Sequence, residues 1–266
     1  MRRGLAGRTW HVRRWLLAMA GGVWLALAPQ QAHSQNSLPQ NFVYLRDVDS
    51  GIAQDIRYAG ADNFVGRPLP GYDAAECVLR RDTAAALKQV QADLTGSGFA
   101  LKVYDCYRPT RAVRAMAAWA NGRDNGATRR FYPQLQKDSL FALGYIAGLS
   151  AHSTGTTVDL TLIDASAPAA PAFDPAMVYG PCTGPAARRA PDNSVDMGTG
   201  YDCFDGKSHT ASAAISAEQR RMRNLLVAAM AKRGFRNYFR EWWHYTLRSA
   251  APAGYFDVPI RPRPPG

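Results

Sequence analysis

The sequence predicts an α+β domain. Its helical and strand-like stretches fall in separate blocks, strict alternation of the two is missing, and the apolar content is enough for one sizeable core. Of the 266 residues, 47% are hydrophobic and 20% charged, with a mean hydropathy of -0.28, which excludes a disordered or fibrous chain. Residues 80–94 (RRDTAAALKQVQADL) carry apolar side chains at helical spacing and stop at Gly96, so they read as a helix. Residues 99–107 (FALKVYDCY) alternate as a strand that ends at Arg108-Pro109. A second helix is expected over 111–120, before a loop at 121–127, and a third over 217–233, closed by Gly234. Strand-like runs occupy 157–163 and 238–247. Between these blocks, residues 165–200 are rich in Pro, Ala and Gly with little periodicity and read as a long loop. The sequence contains no internal repeat.

Residues 1–34 read as a signal peptide. Arg2, Arg3, Arg8, Arg13 and Arg14 precede an apolar run over 15–28, which gives way to Pro29 and the small-residue ending Ala32-His33-Ser34. The run is shorter than the roughly 20 residues of a membrane span, so no stable membrane anchor is expected. The mature domain then covers 35–266, in the periplasm or outside the cell. The 32 basic and 21 acidic residues give +11, and without the five leader arginines 27 against 21 leaves +6. That charge, with no basic stripe interleaved with aromatics, predicts no nucleic-acid partner.

Export permits disulfides. Cys77, Cys106, Cys182 and Cys203 allow three pairings, and sequence alone does not choose among them. We favour Cys77 with Cys106 and Cys182 with Cys203, the second closing the long loop. A zinc site built from all four is disfavoured by their wide spacing and the lack of CxxC.

Once His11 and His33 leave with the leader, only His152, His209 and His244 remain. A catalytic zinc wants three protein ligands and one open position for water, and His152, Asp159 and His244 would supply that set. A turn at Thr154-Gly155 would let His152 and Asp159 approach one point. On a continuous strand Glu241 and His244 face opposite sides, so a bend or bulge is needed to aim both at a metal. The spacing alone also allows a core histidine beside a surface carboxylate.

Five segments together resemble the zinc D-alanyl-D-alanine dipeptidases, the family that includes the vancomycin-resistance dipeptidase. They are residues 55–66 (DIRYAGADNFVG), 104–109 (YDCYRP), 150–159 (the SxHxxGxxxD pattern), 197–202 (MGTGYD) and 241–245 (EWWHY). The resemblance runs over about 42–256, nearly the whole mature chain. It implies a small zinc-peptidase fold, related to D,D-carboxypeptidases and Hedgehog-type domains, with a mixed or antiparallel sheet and flanking helices. It further implies one zinc per chain on His152, Asp159 and His244, with Glu241 as the base that takes the water proton. By the same resemblance Arg108 stabilises the transition state, Asp202 holds the free ammonium of the substrate, and Ser150 and Tyr58 line the pocket. His209 is either a support of that pocket or a surface histidine.

The implied function is hydrolysis of the D-alanyl-D-alanine dipeptide in peptidoglycan turnover, since an exported enzyme cannot reach the cytosolic pool that confers drug resistance. Two alternatives are an exported D,D-carboxypeptidase acting on longer wall peptides and a non-catalytic zinc module that binds wall fragments. Asp202 argues against the first, because it restricts the substrate to a free amino terminus. Glu241 and Arg108 argue against the second. The stretch 164–196 is longer than a compact member of the family needs, and is expected to reshape the mouth of the pocket. Nothing in the sequence specifies an oligomeric state.

Overall fold

A computed structural model describes residues 38–248 and 254–264, so the leader expected over 1–34 lies outside the described residues. In chain order the elements are β1 (Phe42–Tyr44), α1 (Leu45–Val48), β2 (Ala53–Gln54), β3 (Val78–Arg80), α2 (Arg81–Thr95), β4 (Phe99–Asp105), α3 (Thr110–Ala120), β5 (Thr157–Asp164), α4 (Ala217–Lys232), β6 (Phe235–Asn237) and β7 (His244–Leu247). The central sheet runs β2-β4-β5-β7-β6, parallel only between β2 and β4, and β1 pairs with β3 in a separate antiparallel ribbon. The α+β class and the mixed sheet are therefore as expected.

The helices form where apolar spacing dictates. In α2 the buried face is Ala84, Leu87, Val90 and Leu94, packed on β4 and against α4. The start of α4 is fixed by a reciprocal cap: Ser216 Oγ accepts from the Gln219 amide, and Gln219 Oε1 accepts from the Ser216 amide. Such caps stabilise a helix by about 1 kcal/mol. Buried Arg223 on the same helix donates to the carbonyls of Met197, Lys207 and His209, tying α4 to the 197–209 loop.

One expectation changes. The stretch 238–247 is not one strand: β6 ends at Asn237, residues 238–243 turn, and β7 begins at His244. The Asn237 side-chain amide donates to the carbonyls of Glu241 and His244, while buried Trp242 and Trp243 pin the turn to Ser208, Thr199 and β5. Those bonds satisfy the backbone groups that a ladder would otherwise have to pair. The 164–196 stretch lines clefts of its own, one of them together with Arg57, Asp62 and Tyr104. It bridges back to the sheet at Ile163–Ser194 and is anchored by Asp192, which accepts from Lys102, Tyr104 and Arg57. The two disulfides are Cys77–Cys106 and Cys182–Cys203, as favoured above. Among the described residues, no helix is long and apolar enough to cross a membrane.

Candidate active site

The sheet register assembles the site. Asp105 pairs with Asp159 across β4 and β5, and Asp159 pairs with His244 across β5 and β7, so the three stand in one row on one face. A bulge between Val103 and Asp105 makes this possible, because the extra residue on β4 changes which face Asp105 presents. His152 reaches the row from a 3-10 turn at Ala151–Thr154 that ends on Gly155. Gly155 has φ 74°, and a Cβ there would meet the Phe42 ring at 2.5 Å, so both the turn and the packing require glycine.

Ligand atoms of His152, Asp159 and His244 all lie within 4.8 Å of one another. His152 Nε2 is 3.3 Å from His244 Nδ1, and these nitrogens are 3.2 and 3.1 Å from Asp159 Oδ1. That oxygen is buried and has no hydrogen-bond partner. Two imidazole nitrogens and an orphaned carboxylate oxygen converging on one point fit a metal ion with N/O ligands. The other ring nitrogen of His152, Nδ1, is 2.7 Å from the Cys106 carbonyl and 3.3 Å from Asp105, contacts that fix its tautomer with Nε2 free to ligate. Burial alone would raise the Asp159 carboxyl, but the facing histidines hold it well below the usual range.

The remaining candidates surround the same cavity, about 310 Å³ in volume. The 238–243 turn supplies the bend that Glu241 needs, and its Oε2 comes within 3.5 Å of His244 Nδ1. Burial pushes the Glu241 carboxyl up to about 8; Asp159 adds to the rise, while Arg108 and His152 oppose it. Arg108 is held by Asp105 at 2.8 Å, lies over the Tyr58 ring at 4.9 Å and comes within 3.6 Å of Asp159. It is thus both the partner of a strand-end aspartate and part of the cavity wall. Asp202 is buried at φ 54°, and its Oδ2 accepts from Tyr58 at 2.8 Å. Burial, with Asp159 adding, raises its carboxyl well above the ordinary value. Ser150 lines the cavity and accepts from the His152 amide at the start of the 3-10 turn. His209 stays outside the lining but reaches it through Tyr145, whose hydroxyl is 3.4 Å from Nε2.

The sequence reading gave no site role to Asp105, which receives Arg108 and Tyr72, or to Tyr201, whose hydroxyl donates to Asp159 Oδ2 at 3.0 Å. Both lie in the quoted motifs, beside Arg108 and Asp202, and that adjacency is the signal that could have found them. No residue of 164–196 lines the cavity.

A profile of the D-ala-D-ala dipeptidase family, peptidase M15, matches residues 39–170 and 180–260. The chain is 33% identical over 222 residues to a D-alanyl-D-alanine dipeptidase of Enterococcus faecium, covering 83% of this chain and 98% of that protein. A D-alanyl-D-alanine dipeptidase of Streptomyces coelicolor is 36% identical over 222 residues, with the same coverage of each chain. One from Escherichia coli K12 is 31% identical over 197 residues, 74% of this chain and 79% of that protein. With the profile spanning most of its length and two relatives above 30% identity matched over 98% of their own length, the chain belongs to the D-ala-D-ala dipeptidase family of peptidases.

Proposed function

We propose that this protein is an exported zinc dipeptidase that hydrolyses D-alanyl-D-alanine released in peptidoglycan turnover. The observation that carries the proposal is the convergence of His152, Asp159 and His244 on one point of a cavity that Glu241, Arg108 and Asp202 also line. The three ligands would hold one zinc ion, which when bound lowers the pKa of water toward ~7 and polarises a carbonyl.

Glu241 takes the proton of the attacking water and passes it to the leaving amine. Its raised carboxyl suits a group that must both accept and release a proton near neutral pH, and a divalent cation beside it pulls that value back down. Arg108, anchored on Asp105, keeps its charge in the cavity for the oxyanion that forms at the scissile carbonyl. Asp202, with Tyr58 on one oxygen, offers the other to the substrate's ammonium. Ser150 and Tyr58 complete the wall. The order of basic, apolar and small residues before Gln35 supports export, and two disulfides suit an oxidising compartment.

The test compares amine release from D-Ala-D-Ala and from a wall pentapeptide by the zinc-loaded protein. Turnover confined to the dipeptide supports the proposal, and preference for the pentapeptide replaces it with the carboxypeptidase reading.

A further inference from the structure

Tyr201 touches a candidate metal ligand and has no part in the mechanism above. Its ring stacks on Tyr104 at 4.5 Å between centroids and meets Trp243 edge-on at 5.5 Å, so its hydroxyl has one place to be. That hydroxyl carries one proton and has two oxygen neighbours, Asp159 Oδ2 at 3.0 Å and the Tyr58 hydroxyl at 3.3 Å. The shorter contact, to a charged acceptor, takes the proton. Tyr58 in turn gives its own proton to Asp202. Asp159 and Asp202 therefore each have one phenol, and the two oxygens of Asp159 differ. Oδ2 accepts the Tyr201 hydrogen bond, with Arg108 Nη2 farther off at 3.6 Å, whereas Oδ1 faces both histidine nitrogens without a hydrogen bond.

We propose that Tyr201 is a positioning residue that confines Asp159 to one-oxygen ligation of the metal. The inference rests on the reading of His152, Asp159 and His244 as the ligand set. A carboxylate with both oxygens free can turn and offer both to a cation, filling the position that catalysis reserves for water. With Oδ2 occupied, only Oδ1 is available. Packing of the Tyr201 ring is thereby converted into the coordination number of the site, through a single hydrogen bond.

Tyr201→Phe keeps the ring and deletes one oxygen. Chelator competition at fixed pH is expected to show zinc held at least tenfold more weakly. The visible absorption of the cobalt-loaded variant should also lose intensity, as a four-coordinate ion gains a ligand. A cobalt spectrum superimposable on that of the parent protein overturns the proposal. Tyr58→Phe removes the donor to Asp202 and the secondary 3.3 Å neighbour of the Tyr201 hydroxyl but leaves the Tyr201–Asp159 bond in place, so it should leave the cobalt spectrum unchanged and raise KM for the dipeptide. A parent protein that binds metal but ignores D-Ala-D-Ala defeats the proposed function and leaves this inference to the spectrum. One that binds no metal at these three residues defeats both.

Discussion

Masking the amino group of the dipeptide should cost this enzyme most of its activity, and the structure sets the scale. Asp202 is buried at 4% exposure with Tyr58 as its one hydrogen-bond donor among the described residues, and Asp159 lies near enough to raise its carboxyl. An arriving ammonium supplies the missing counter-charge; an acetylated nitrogen does not. Leaving one member of a buried charge pair without its partner costs about 2 to 5 kcal/mol, which is roughly thirtyfold to a few thousandfold in kcat/KM. Because the Asp202 carboxyl is raised, part of the ammonium's attraction goes into ionising it, which places the expectation toward the lower end. The assay is kcat/KM for D-Ala-D-Ala and for N-acetyl-D-Ala-D-Ala at one pH. Asp202→Asn, which tolerates the left-handed backbone at this position, should narrow the gap by damaging the free dipeptide more. Comparable values for the two substrates would refute the assignment of Asp202 and favour action on longer peptides.

His152→Ala or His244→Ala should lose both metal and turnover, whereas Glu241→Gln should keep one zinc per chain and lose turnover by at least a hundredfold, measured by metal analysis beside kinetics. A Glu241→Gln protein emptied of zinc would show that residue to be a ligand instead of a base. Arg223→Met removes the donor from three backbone carbonyls and should lower stability by about 3 kcal/mol in urea unfolding; a change under about 0.5 kcal/mol would mean those carbonyls find other donors. Export as proposed predicts a mature chain that begins near Gln35 by mass spectrometry, and an intact Met1 on a soluble cytosolic product would remove the export assignment.

The long elements were legible because their signals are local. Apolar spacing and a closing glycine give α2 and α4 to within a residue or so, and alternation gives β4 and β5. Strands β1, β2 and β3 are two or three residues long, too short for a period to show. The run 238–247 misleads for a different reason. Its turn is held by Asn237, Ser208 and Thr199, and the last two come from a separate segment whose approach no spacing records. The same holds at the site. The ligand and base candidates carry motif signals, but the row formed by Asp105, Asp159 and His244 depends on strand register and on one bulge. The Arg57–Asp192 contact joins residues 135 positions apart, beyond the reach of any local pattern.

The anchoring of Asp192 against Lys102, Tyr104 and Arg57 also bears on how this scaffold can change over time. The excursion that leaves β5 returns to it at the Ile163–Ser194 bridge and is clipped again at Cys182–Cys203, so its two ends are moored independently of whatever lies between them. Doubling the length of a flexible loop moored in this way costs only about 0.6 kcal/mol. The family profile skips residues 171–179, within that interval, where Met177 and Val178 stand open to solvent. Insertions and deletions can therefore accumulate there while the cavity, which takes no side chain from the excursion, stays under separate selection. The same stretch is the natural splice point for a reporter or an affinity tag that must leave catalysis untouched.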